Sequence, residues 1–469
     1  MINPVRFDSR ERLADRIYRP FFIAGIATVL TLGCVWGAIN LFTIGLKQNF
    51  SAVSYSWVLA HGHAMVFGFV GFFIMGFAYQ AFPRFKHTNL WRPRLAILAL
   101  PLMIAGIVLQ TVAHMWSPPS LSTEIVAATI QFAAVIIFGS TILMTARNAN
   151  KRENYDRFVY AALVWFVLAA IANPIIFKLF ELASSRQELL FNLATFNIPY
   201  RDVQLLGIAV VMILGVSLRL LPPGYGFREP SRNWQHFTFW GVNVAIGAGA
   251  VLFIAGMAGG NHWLLALQWV TTVVLLAVAA GIPFQYRLFG PVPENERDRG
   301  LKFIRTAHIW FIVATTMLVF TPVYNFAIYM PITGSHSPFS HAFFGAYRHA
   351  LTVGFIMMMI VGVSSKVVPT LAGVDVRRAH SLWPTFVLLN LGNVTRVSFQ
   401  IATDFSPHAY RVMGISGFIE VIALALWGYE LVANIREGKR LEKQSSAPRI
   451  LETLDITPNP KVGDVLAHF

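Results

Sequence analysis

Apolar residues dominate the chain in runs of a single kind, each about as long as the ~20 residues an α-helix needs to cross a bilayer core. The runs fall at about residues 20–44, 59–83, 94–114, 123–146, 158–180, 200–222, 236–257, 262–284, 306–330, 341–370, 381–403 and 409–433. Strict period-2 alternation is lacking, which argues against an outer-membrane barrel. The pattern predicts an all-α polytopic membrane protein with twelve transmembrane helices.

One run is repeated. HGHAMVFGFVGFFIMGFAYQAFP, residues 61–83, aligns without a gap on two later runs. His63, Gly68, Gly76 and Pro83 fall on Asp202, Gly207, Gly215 and Pro222, and again on His349, Gly354, Gly362 and Pro369. The position two before the anchor is His61, Tyr200 and Tyr347, and Arg201 and Arg348 stand between in the second and third copies. The repeat predicts three pseudo-repeated four-helix units, about 1–150, 151–300 and 301–435, around a shared centre. No unit hides its packing faces alone, so residues 1–435 form a single transmembrane domain. A polar cytoplasmic tail follows at 436–469.

Composition agrees: the 469 residues are 56% hydrophobic and 13% charged, too apolar for an ordinary soluble fold. Charge then sets the orientation. Basic residues crowd the N-terminus (Arg6, Arg10, Arg12, Arg16, Arg19) and the loops after even-numbered helices, while alternate loops hold only Lys47, Lys178 and Arg186. By the positive-inside rule both termini are cytoplasmic, in a cytoplasmic-type membrane. The net charge of +15 reads as topology and affinity for the lipid bilayer, not for nucleic acid. Without a small-residue cleavage site, the first helix reads as a retained anchor. The lone Cys34 excludes disulfides and cysteine-based clusters.

The candidate chemistry lies at the outer end of the repeated helices, where His61, His63, Tyr200, Asp202, Tyr347 and His349 share one depth. Imidazole inside a bilayer needs a partner, and neutral histidine is a common ligand for haem iron and copper. At ~100° per residue, His61 and His63 point ~200° apart and serve different partners. His341 lies ~12 Å along the axis from His349. The alignment makes a bis-histidine haem b between His63 and His349 the simplest arrangement; the competing reading is a pair of packed, hydrogen-bonded histidines. His61 and His341 are further metal-ligand candidates. Asp202 is an interfacial charge, a proton-handling group or a hard metal ligand. With Tyr200 and Tyr347 it completes the catalytic candidates. Arg201 and Arg348 either snorkel to headgroups or pair with haem propionates. The glycines read as close helix packing.

RPFF at 19–22, HGHAMVFGFVGFFIMGFAYQAFPRF at 61–85 and RHALTVGFIMMMIVGVSSKVVP at 348–369 resemble the NnrS family. More distantly, the twelve-helix, three-unit plan with histidines on helices 2 and 10 resembles subunit I of the haem–copper oxidases and nitric oxide reductases. The resemblance implies a haem protein, with copper as a further metal, that binds or detoxifies nitric oxide or relieves nitrosative stress in denitrification. It carries His63 and His349 over as haem ligands and His61 as a second metal ligand. Two alternatives stand beside it: a nitric oxide or oxygen reductase fed by a quinol or cytochrome donor, and a membrane transporter without haem. Helix 6 offers Tyr200 and Asp202 where an oxidase has a copper-binding histidine, so a three-histidine copper site cannot be assembled from matching positions.

Overall fold

The computed structural model describes residues 9–115, 120–149, 152–292, 300–375 and 380–446. Arg6, Arg377 and Arg378, and residues 447–469 of the tail, lie outside this set. All regular elements among the described residues are helices. In chain order they are α1 (Leu13–Lys47), α2 (Tyr55–Phe85), α3 (Pro93–Met115), α4 (Leu121–Asn148), α5 (Asp156–Glu181), α6 (Arg186–Tyr225), α7 (Arg232–Gly259), α8 (His262–Tyr286), α9 (Leu301–Thr333), α10 (His341–Ala372), α11 (Trp383–Ala402) and α12 (His408–Gln444). Eleven are long and apolar enough to cross a membrane; α11 is not among them. The run at 381–403 does form a helix, but Asn393, Arg396 and Gln400 recur at helical spacing along it, with Asn393 and Gln400 fully buried.

Polar caps start the helices where the sequence supplies them. Ser120 accepts from the Thr123 backbone N–H, Ser185 from Glu188, Ser340 from Phe343, and Asn261 from Trp263 and Leu264. Each cap satisfies N–H groups that the helix leaves unpaired at its first turn.

The three repeated helices α2, α6 and α10 are the most buried of the eleven. Each carries a π-helical stretch that begins at the residue after the anchor: Ala64–Val70 after His63, Val203–Val210 after Asp202, and Ala350–Met357 after His349. Such wide turns cost regular hydrogen bonding and concentrate at functional sites. The aligned glycines serve close packing. A Cβ at Gly207 would lie 2.7 Å from the Trp165 ring, one at Gly354 2.5 Å from the Trp310 ring, and one at Gly68 2.6 Å from the Thr28 side chain. In each case the partner is on the preceding helix. The indole N–H groups are then satisfied alike: Trp165 donates to Asn243 Oδ1 at 2.7 Å and Trp310 to Asn390 Oδ1 at 3.2 Å.

At the end away from the histidines, Lys86 and Asp156 form a buried ion pair between α2 and α5. Arg19 pairs with Glu442, because α12 runs on past residue 436 to lie against α1. Between α2, α6 and α10 in this half lies an apolar cavity of about 100 Å³, walled by Phe73, Met212 and Met359 among others.

Candidate metal and ligand centre

The residues singled out from the repeat cluster at the histidine end of α2, α6 and α10. The π stretches of α2 and α6 pack together, as do those of α6 and α10, whereas α2 and α10 approach each other less closely. Around this looser face the structure places His61 and His349 within electrostatic reach of one another.

His61 lies flat on α1. Its Nδ1 is 2.9 Å from the Gly33 carbonyl, and a Cβ at Gly37 would come within 2.5 Å of its ring. A π-helical stretch, Val29–Gly33, ends in a non-helical backbone at Gly33 (φ −83°, ψ −108°), which frees that carbonyl. Since a carbonyl only accepts, Nδ1 carries the hydrogen and Nε2 presents its lone pair. This is the orientation that ligating histidines take from an outer partner. The Nδ1 of His349 is buried with no partner.

His63 turns the other way. Its Nε2 lies 2.7 Å from Gln131 Oε1 on α4, its ring stacks on Phe67, and its electrostatic neighbours are Arg201 and His114. The structure therefore separates His61 from His63, as their spacing predicts. His61 lies within electrostatic reach of His349, while His63 bonds to Gln131 of α4. His63 thus meets Gln131 of α4 and lies near His114 of α3, whereas His349 lies near Arg396 of α11. His341, the first residue of α10, is exposed at the surface of the chain with its ring edge-on to Phe50.

The acidic and basic candidates interlock. Asp202 Oδ1 accepts from the Tyr347 hydroxyl at 3.2 Å and lies 3.8 Å from Arg348 Nη2. Arg348 also donates to the Ile198 carbonyl. Arg201, 9% exposed, donates to Gln204 Oε1 at 2.7 Å and to the Leu59 carbonyl at 3.3 Å, with its guanidinium over Gly62. Both arginines turn into the protein. Tyr200 donates to Asn173 Oδ1 at 2.9 Å, apart from Tyr347.

Several site residues were absent from the sequence expectations. Arg396 on α11 stands in electrostatic reach of His61, His341 and His349, and its Nε and Nη1 have no partner. Glu420 of α12 is its acidic neighbour. On the His63 side, Gln131, Gln110, Asn173 and Glu124 form a continuous buried hydrogen-bonded chain. Polar residues at spacings of three, four and seven inside apolar runs were the available signal: Gln110 and His114, Glu124 and Gln131, and Asn393, Arg396 and Gln400 each share a helix face. His308 is 1% exposed, and its Nδ1 lies 2.8 Å from the Ile304 carbonyl of its own helix.

The donor set suits a bound metal group on the α2–α10 face. Nitrogen atoms of His349 and His61 are unclaimed there, and partnerless N–H groups of Arg348 and Arg396 suit carboxylates such as propionates. Among the described residues no three His, Cys, Asp or Glu side chains converge as in a closed metal site. In comparisons with known proteins, no curated protein matches the sequence. Residues 13–435, nearly the whole chain, match the model of the NnrS protein family, and the chain belongs to that family.

Proposed function

We propose that this is an integral membrane haem protein of nitric oxide metabolism, which binds or detoxifies nitric oxide or relieves nitrosative stress at the outer face of the bacterial inner membrane. The observation that carries the reading is that His61 and His349 lie within electrostatic reach of one another on the looser α2–α10 face, with Arg201 and Arg396 beside His61 and Arg396 beside His349. In this reading α11 is a twelfth span, made polar on one side by the site it lines. The three units repeat one plan, and basic loops hold both termini in the cytoplasm.

Haem b, when bound, supplies an iron centre for a diatomic ligand. His349 and His61 are the residues that would hold it. His63, predicted from its column, is reassigned to a separate environment. Gly33 orients His61, Gly37 leaves room for its ring, and Arg201, Arg348 and Arg396 offset anionic substituents. Asp202 and Tyr347 fix Arg348. The test is the absorption spectrum of the purified chain: a Soret band that shifts on adding nitric oxide supports the proposal, and a colourless protein refutes it.

A nitric oxide or oxygen reductase driven by a quinol or cytochrome is the second reading. The apolar cavity between α2, α6 and α10 favours it, since its walls suit a lipophilic electron donor entering from the bilayer.

A further inference from the structure

At the end away from the histidines, the junction of α5 and α7 carries positive charge that the protein leaves without a counter-ion. Arg157 of α5 donates from Nη1 to His236 Nδ1 of α7 at 2.9 Å. Its guanidinium carbon lies 5.4 Å from the Phe158 ring centroid and 5.0 Å from that of Phe239. Its Nε and Nη2 atoms are buried with no partner. Those two N–H groups form one edge of the planar guanidinium, an edge that takes two phosphate oxygens side by side. Because a guanidinium only donates, His236 Nδ1 holds the lone pair and Nε2 of that exposed ring carries the hydrogen.

Further cations gather here. Arg232, exposed on the first turn of α7, is the charged neighbour of Arg157, and exposed Arg152 is a neighbour of Tyr160 on the first turn of α5. The nearby carboxylates are engaged elsewhere. Asp156 pairs with Lys86 and accepts from the Glu153 backbone N–H at 2.8 Å, and Glu153 faces Arg219 at 4.0 Å. Glu229 is an electrostatic neighbour of Tyr286 on α8. From the cluster toward the bilayer the two helices turn apolar side chains outward: Val164 and Leu168 on α5, Trp240 and Val244 on α7 are all exposed. His236, Trp240 and Val244 recur every four residues and share one face of α7, and Arg157, Val164 and Leu168 share one face of α5.

We propose that this junction binds one anionic glycerophospholipid, with its phosphate on Arg157, Arg232 and His236 and its acyl chains along the exposed faces of α5 and α7. Basic clusters between transmembrane helices suit such headgroups. The apolar faces argue for a lipid and against a free phosphate ester, since only a lipid covers both the cations and the side chains beyond them. The site shares no residue with the His61–His349 face, so it stands or falls independently of the haem reading.

The experiment is native mass spectrometry of the detergent-purified full chain, titrated with phosphatidylglycerol or with phosphatidylcholine of the same acyl chains. The wild type is expected to retain one phosphatidylglycerol at concentrations where phosphatidylcholine is lost. Arg157→Gln and Arg232→Gln should each weaken phosphatidylglycerol binding about fivefold, the usual effect of one basic side chain near an anionic lipid, and leave phosphatidylcholine binding unchanged. Arg147→Gln, an exposed arginine at the end of α4, should bind as the wild type does. A wild type that does not prefer phosphatidylglycerol overturns the proposal, as does undiminished binding in Arg232→Gln. An equal loss in Arg147→Gln would reduce the effect to net charge and also overturn it. Displacement of the lipid by an equal concentration of glycerol phosphate would show a site for a soluble phosphate ester and overturn the lipid assignment. Arg232 is exposed, so Arg232→Gln decides the matter if Arg157→Gln does not fold.

Discussion

His63 Nε2 stands 2.7 Å from Gln131 Oε1, 68 residues away on α4. Both groups are buried, and the contact turns His63 from the face where His349 lies. Gln131→Leu should leave the imidazole N–H and Gln110 Oε1 short of a partner, at about 1–3 kcal/mol. Thermal unfolding in detergent should show the loss, and an unchanged transition would mean that the amide chain is not formed.

The packing glycines offer a test with an internal control. Gly354→Ala and Gly207→Ala would drive a Cβ to 2.5 and 2.7 Å from the Trp310 and Trp165 rings. Overpacking of this kind costs about 1–3 kcal/mol. Gly139→Ala meets nothing within 4 Å and should be neutral or slightly stabilising, since alanine favours a helix. Equal unfolding temperatures for all three variants would contradict the packing.

The arginines should separate by what they touch. Arg348→Leu and Arg396→Leu each remove partnerless N–H groups from the His349 surroundings, so each should weaken haem retention or shift its reduction potential. Arg348→Leu also strips Asp202 of its cation. Unaltered haem content and potential in both variants would leave the guanidiniums without a role at the site.

Asp404, between α11 and α12, accepts from Tyr324 at 2.8 Å and from Ser340 at 2.5 Å, yet burial outweighs these bonds and raises its carboxyl above the ordinary range. A raised folded-state value means that its contribution is present below the unfolded carboxyl value, about 4. The contribution is lost as pH rises through the folded value. Asp404→Asn should flatten that part of the stability profile in detergent. The same slope in wild type and variant would contradict the assignment.

How far the sequence reaches is clearest at the repeated helix. The anchor column His63, Asp202, His349 was legible because the gap-free spacing to glycine and proline survives in all three copies, and the π-helical stretches begin at that column. The ~200° between His61 and His63 was legible from helix geometry alone. Which neighbour each would meet was not, because alignment treats equivalent positions as partners, whereas packing sets His63 against Gln131 of α4 and leaves His349 near Arg396 of α11. Gln131, Glu124 and Arg396 escaped notice because each is a single polar residue in an apolar run, and only packing of different helices makes a network of them. The polarity of α11 was visible as composition, but its inward face was not.

Orientation can be tested without any cofactor. In a Cys34→Ala background, single cysteines in the loops at 48–54 and 334–340 should react with an impermeant thiol reagent from outside intact cells, and one in the loop at 226–231 should not. The reverse pattern would place the histidine end inside and overturn the proposed location of the site.

The central claim, that His61 and His349 together hold one haem b, is tested most directly by the spin state of the purified variants. His61→Ala and His349→Ala should each remove a strong-field nitrogen, converting a six-coordinate low-spin spectrum to a high-spin one or losing haem. His63→Ala, and exposed His262→Ala as a control, should retain the low-spin spectrum. Full low-spin haem in both His61→Ala and His349→Ala, or its loss in His63→Ala with His61→Ala unaffected, would contradict the account.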